Sequence, residues 1–260
     1  MKDPVILVLV FLFGISFGSF LNVLIYRLPL KISLIKPPSK CPECDTPIRF
    51  YDNIPVISYV ILGGKCRHCK KNISLRYPVI EILSGLLTVY AIYSFGFTLK
   101  GIEVVFLSLV FLAIFFIDLD HTIIPDVFTI PGVIIGIAVS LLPGAMVGWK
   151  QSLIGMAVGG GAFMLVGILG QIIFKKEALG FGDVKYAAMV GAFLGWKNLI
   201  LMLIIASFLG SIIGISLIYL SGKKGKSTYI PFGPFLTVGA WIAIYFGEDL
   251  IKAYLELVGI

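Results

Sequence analysis

Two acidic motifs and two cysteine pairs hold the side chains of this sequence that could do chemistry. The acids are Asp118, Asp120 and Asp126, in Ile117-Asp118-Leu119-Asp120-His121-Thr122-Ile123-Ile124-Pro125-Asp126, and Asp183, in Gly180-Phe181-Gly182-Asp183-Val184-Lys185. Each motif sits where an apolar run meets a polar segment. A carboxylate at a membrane boundary is costly and so points to function. Two facing carboxyls can activate a water when one is ionised and the other protonated, a state enforced by proximity. The ionised group takes a proton from water and the neutral one donates to a scissile carbonyl, which is aspartic protease chemistry.

The first motif offers three candidates. Asp118 directly follows the apolar run and is the most desolvated. Asp126 has the ordinary alternative of capping the next helix, and Asp120 that of a solvated loop residue. Gly180 and Gly182 lack side-chain bulk, so the backbone can turn sharply and a substrate strand can approach Asp183. For the whole set, the ordinary alternative is helix capping and interface charge.

Cys41-Pro42-Glu43-Cys44 and Cys66-Arg67-His68-Cys69 form two CxxC knuckles separated by 21 residues. Four thiolates at this spacing suit structural zinc. Lys40, Lys65, Arg67 and Lys70 flank them and favour thiolate, and turn amides are expected to bond the sulfurs. A site with four protein ligands has no open position, so the expected zinc holds structure and is not the catalyst. His68 reads as a solvated surface residue. Disulfides are disfavoured by the cytosolic placement argued next.

The elements that must position these groups are membrane helices. The 260 residues are 58% hydrophobic and 13% charged, too apolar for one soluble core. The expected spans are 5–26, 79–96, 102–117, 127–142 and 152–174, two from 184–220 split near Gly195-Trp196-Lys197-Asn198, and 230–247. The fold class is therefore an all-α polytopic membrane protein of about eight helices. It carries a small zinc-ribbon-like insertion after the first helix. The division expected is 1–26 as helix 1, 27–78 as the four-cysteine domain and 79–260 as a membrane domain. Residues 248–260 read as a short amphipathic tail, and no internal repeat stands out.

Alternate loops at 27–78, 118–126, 175–185 and 221–229 hold 16 of the 21 Lys and Arg. The positive-inside rule puts these loops, and both acidic motifs with them, in the cytosol. The net charge of +7 is then topology and headgroup attraction. Without interleaved stacking aromatics, it does not indicate nucleic acid.

Taken together, the motifs resemble bacterial type IV prepilin peptidases. The resemblance is carried by Gly18-Ser19-Phe20-Leu21-Asn22-Val23, Arg27-Leu28-Pro29, the paired knuckles and Ile54-Pro55-Val56-Ile57-Ser58-Tyr59. It continues through Ser74-Leu75-Arg76-Tyr77-Pro78-Val79-Ile80-Glu81, both acidic motifs and Pro231-Phe232-Gly233-Pro234-Phe235. It spans nearly the whole chain in order.

The resemblance implies a GxGD-type aspartic endopeptidase of the bacterial cytoplasmic membrane. It would cut the basic leader from type IV prepilins and pseudopilins at the cytosolic face, after a Gly. The catalytic pair falls on Asp118 and Asp183, because the first acid of the family precedes the motif proline by seven residues and Pro125 fits Asp118. Gly180, Gly182, Lys185 and Pro125 would support the site. Members with the long cysteine loop also methylate the new N-terminus using S-adenosylmethionine. That activity is expected near Asn22, Arg27, Arg76 and Glu81, whose ordinary readings are inside anchors for the arginines, an interhelical hydrogen bond for Asn22 and an ion-pair partner for Glu81. Alternatives are a peptidase that does not methylate, or a transporter with a regulatory zinc ribbon.

Overall fold

The computed structural model describes residues 3–175, 180–221 and 230–259. Every regular element longer than a single bridge among them is helical: α1 Pro4–Arg27, a 3-10 turn Phe50–Asn53, α2 Ile57–Ile61, α3 Arg76–Phe95, α4 Leu99–His121, α5 Asp126–Val139, α6 Trp149–Phe174, α7 Phe181–Ser221 and α8 Gly233–Val258. Among the described residues, six helices are long and apolar enough to cross a membrane, and α5 is a shorter apolar helix. α7 is broken at Gly195, whose φ of 71° and ψ of 172° leave the helical region. Counting its halves separately gives eight apolar helices. Large apolar side chains such as Phe13, Ile172, Ile204 and Phe208 face outward. Helices suit such surroundings because they satisfy their own backbone groups.

Several boundaries differ from the sequence reading. α4 runs to His121, because Asp118-Leu119-Asp120-His121 contains no breaker and the turn comes at Thr122, with φ of 54°. Asp118 and Asp120 are therefore helical, not in a loop. α7 begins at Phe181, so the GxGD motif lies at its start. α8 continues to Val258, which makes the expected tail part of one helix. The basic residues Lys2, Lys176, Lys223, Lys224 and Lys226 lie outside the described residues.

The chain divides into two compact units, Met1–Ala113 and Ile114–Ile260. In the first, α1 begins with Asp3 capping the Val5 amide at 2.9 Å and Pro4 in the first turn, as helix starts favour. α1 packs on α3. A Cβ on Gly14 would lie 2.8 Å from Gly85 Cα, and one on Gly18 would lie 2.6 Å from Glu81 Cα. Small residues spaced by four thus let the two backbones touch. Ser84 Oγ donates to Gly14 O at 2.6 Å across this crossing.

In the second unit α7 packs against α5, α6 and α8. Glycines again set the distance. A Cβ on Gly155 of α6 would lie 2.1 Å from Gly191 O, one on Gly132 of α5 would lie 2.4 Å from Met189 Sδ, and one on Gly239 of α8 would lie 2.7 Å from Met202 O. The core of this unit is the α7 run through Tyr186, Met189, Phe193, Leu199 and Met202, each 2% exposed or less.

Between α1 and α3 the chain makes two turns of the same design, 25 residues apart. Cys41 N donates to Thr46 O and Asp45 N to Cys41 O; Cys66 N donates to Lys71 O and Lys70 N to Cys66 O. Asp45 and Lys70 take the left-handed conformation at φ 55° and 61°. Lys40 bridges Pro47, and Lys65 bridges Asn72. The repeat is not visible in the sequence because the intervening residues, Pro42-Glu43 and Arg67-His68, share nothing.

Candidate active site

The end of α4, the start of α5, the start of α7 and the segment entering α8 enclose a cavity of about 280 Å³. Asp118 and Asp183 both line it. Asp118 sits in the last turn of α4 and is 5% exposed, whereas Asp183 is half-buried near the start of α7. Thr122, Ile123 and Ile124 from the α4–α5 connection, with Phe181 and Phe232, provide most of the remaining wall. A partly apolar wall strengthens any electrostatic interaction formed inside it.

Asp118 is held by a backbone amide from the Pro231-Phe232-Gly233-Pro234 segment. The Gly233 amide, at the start of α8, donates to Asp118 Oδ2 at 2.9 Å. A Cβ on Gly233 would lie 2.6 Å from that oxygen and 2.9 Å from Cγ. The position therefore admits only glycine without displacing the carboxyl. The α8 N-terminus also directs its positive end at Asp118. The signal available in the sequence was a glycine between two prolines at a helix start, Pro231-Phe232-Gly233-Pro234.

The supporting residues have distinct places. Gly180 O accepts from Asp183 N at 3.0 Å. A Cβ on Gly180 would lie 3.1 Å from Asp183 Oδ2, and one on Gly182 would lie 3.1 Å from Ile124 Cβ. The motif glycines thus leave room for the acid and let the α7 start pack on the α4–α5 connection. Pro125 is the N-cap of α5 and is not among the residues lining the cavity. Asp126 is the first residue of α5, after the N-cap Pro125, so it does not hold the capping position. Its carboxylate pairs instead with Lys185, across from α5 to α7. Asp120 is exposed on the last turn of α4 and does not line the cavity.

The cysteines form a second centre. The ligand atoms of Cys41, Cys44, Cys66 and Cys69 all lie within 4.8 Å of one another, and all four thiols are free. Cys41 and Cys69 sulfurs are 3.9 Å apart. A tetrahedral ion with bonds of about 2.3 Å needs sulfurs about 3.8 Å apart, so the cluster can hold a metal. Cys44 Sγ lies 3.3 Å from Thr46 Oγ1, and this hydroxyl, with the Thr46 amide, lowers the Cys44 thiol to about 6. The amides of Cys69 and His68 likewise lower Cys66. His68 itself is exposed and outside the cluster. Two of the flanking cations are engaged elsewhere: Lys40 pairs with Asp45 at 2.5 Å, and Arg67 forks onto Asp52 with its closest contact at 2.6 Å.

The remaining predicted residues border this loop. Asn22 Nδ2 donates to Tyr77 O at 3.1 Å, which joins α1 to α3. Arg27 is buried and donates to Ser33 O and Pro37 O, both at 2.8 Å, so it braces the loop rather than reaching headgroups. Glu81 is buried and accepts from Val56 N at 2.7 Å. Val56 has φ of 61°, a strained setting for a β-branched residue. Arg76 opens α3 and is half-buried.

Comparison with known proteins follows the same two-part layout. Residues 12–95 match the bacterial peptidase A24 N-terminal domain, and residues 105–215 match the type IV leader peptidase family. The chain is 40% identical to a prepilin leader peptidase/N-methyltransferase of Myxococcus xanthus, over 86% of this chain and 67% of that protein. Proteins of the same name from Stutzerimonas stutzeri and Pseudomonas aeruginosa are each 35% identical, over 94% and 95% of this chain and 91% and 93% of theirs. No solved structure matches the chain.

Proposed function

This chain belongs to the type IV leader peptidase family, and we propose that it is a membrane aspartic endopeptidase that removes the leaders of type IV prepilins and pseudopilins and then N-methylates the new N-terminus. The observation that carries the peptidase assignment is that Asp118 and Asp183, 65 residues apart in sequence, line one cavity. In this reading a water lies between them. The ionised carboxyl takes its proton as oxygen attacks the carbonyl after the leader Gly, and the protonated one donates to the carbonyl oxygen. Gly233 holds Asp118 in place for this, and Gly180 leaves Asp183 free to face the peptide.

The cavity opens to the cytosol of a bacterial inner membrane, a placement supported by the concentration of Lys and Arg in alternate loops. Processed products would serve pilus assembly or protein secretion. Zinc is the metal that suits four thiolates with a closed tetrahedral sphere. We assign residues 27–78 to the methyltransferase-associated zinc domain and 79–260 to the peptidase. S-adenosylmethionine supplies an electrophilic methyl group when bound. Asn22, Arg27, Arg76 and Glu81 frame the loop that would receive it, and Glu81 offers a buried carboxylate that suits the cationic sulfonium.

The test is a cleavage assay in detergent with a prepilin substrate, followed by mass spectrometry of the product with and without S-adenosylmethionine. Cleavage after Gly and a 14 Da gain dependent on the methyl donor, about the mass of one methylene, are expected. A folded wild-type protein that leaves the leader intact overturns the peptidase reading. Cleaved but persistently unmethylated product leaves the peptidase alone standing.

A further inference from the structure

Among the described residues, four charged side chains line the cavity: Asp118, Asp126, Asp183 and Lys185. Lys185 is therefore the sole cation among the described lining residues, and it stands two positions from Asp183. Its ammonium pairs with Asp126 and lies 5.1 Å from the centre of the Phe181 ring. It is thus fixed between the start of α5 and the first turn of α7.

Stability does not account for this arrangement. The Asp126 side chain is 56% exposed and that of Lys185 is 27% exposed. Ion pairs this open to solvent add little to folding. Charge placement does account for it. An ammonium bonded to Asp118 or Asp183 would occupy the lone pair that must take a proton from water, and would fill the space of that water. Lys185 lines the same cavity of about 280 Å³ as both carboxyls, so a lysine released from Asp126 stays beside them.

We propose that Asp126 is a positioning residue whose task is to hold Lys185 away from the catalytic carboxyls. The inference rests on the reading of Asp118 and Asp183 as a protease pair. Asp126 thereby acts through Lys185 and touches no reacting atom.

The experiment measures prepilin cleavage by the purified full-length protein in detergent for Asp126→Asn, Asp126→Glu, Lys185→Met and the double variant Asp126→Asn/Lys185→Met. Asp126→Asn, which frees the lysine, is expected to lower kcat about tenfold or more with little change in KM, since a general base is blocked while substrate binding is not. Asp126→Glu keeps the pair and most of the activity. Lys185→Met is less damaging than Asp126→Asn, and the double variant climbs from the Asp126→Asn level to that of Lys185→Met. Tm is measured for each variant, because the double variant would also relieve destabilisation by an unpaired lysine, and is expected to stay at the wild-type value.

A tie that merely joins α5 to α7 predicts something else. Both single variants would then lose alike and the double would be no better. That result, or wild-type kcat in Asp126→Asn, overturns the proposal. A wild-type enzyme that does not cleave, or an Asp183→Asn variant that does, removes the protease reading and this inference with it. Failure of the Asp126 series alone leaves the protease reading intact.

Discussion

The cysteine cluster and the carboxylate cavity are built in opposite ways. The cluster draws its four ligands from residues 41–69, and each pair is set by a turn that closes on itself through backbone hydrogen bonds. The cavity draws its walls from four helix ends between residues 118 and 232, and Asp118 owes its position to an amide 115 residues away. The first centre is written in local spacing and closed by four ligands. The second exists only when α4, α5, α7 and the entry to α8 converge, and it stays partly open. Distant construction lets the two carboxyls be held by different helices, each adjustable by packing.

This contrast can be broken most forcefully at the acids. Asp118→Asn and Asp183→Asn should each lower cleavage by about 10²–10⁴-fold, the scale of a lost general acid or base. Metal content, read by elemental analysis, should stay unchanged. A variant that cleaves normally would show that the cavity is not the reacting centre. Cys66→Ser or Cys41→Ser should do the reverse. Bound zinc falls toward zero, limited proteolysis opens the loop between α1 and α3, and cleavage drops far less than in the aspartate variants. A cleavage loss as large as that of Asp118→Asn would mean the two centres are not independent.

Gly233→Ala sharpens the comparison from the distant side. The added Cβ must push the Asp118 carboxyl away from a 2.6 Å contact, so kcat should fall about tenfold with KM little changed. Equal kcat would show that Asp118 tolerates displacement.

Thr46→Val probes the local side and should have the smallest effect. The Cys44 thiol is held at about 6, so protons compete with metal there only as pH falls through that value. Loss of the Thr46 hydroxyl raises the thiol toward its ordinary value. Half-release of zinc in a pH titration should then occur at higher pH than in the wild type. An unchanged midpoint would assign the lowering to the Thr46 amide alone.

The sequence disclosed the locally built parts best. Cys41, Cys44, Cys66 and Cys69 announce a metal cluster by spacing alone, and the apolar runs announce the helices. The split of the 184–220 run at Gly195 was legible because a glycine followed by Trp196-Lys197-Asn198 interrupts a long apolar stretch. The end of α4 was not, since charged residues after an apolar run look like a loop whether or not the helix continues through them. The partnership of Gly233 with Asp118 was hidden for a different reason. Nothing in either segment encodes the other, and only packing brings them together. Asp126 showed the same limit: its place after Pro125 suggested a cap, and its true partner lies 59 residues away on α7.

The twin turns between α1 and α3 carry one more consequence. Each brings two sulfurs, half of a coordination sphere, on an almost identical backbone. Either half can fold its own turn, but neither can satisfy a tetrahedral ion. A metal bound by all four sulfurs would make the two copies interdependent, holding one against the other. The loop would then behave as a two-key lock, in which damage to one knuckle silences its twin although every bond within that twin remains.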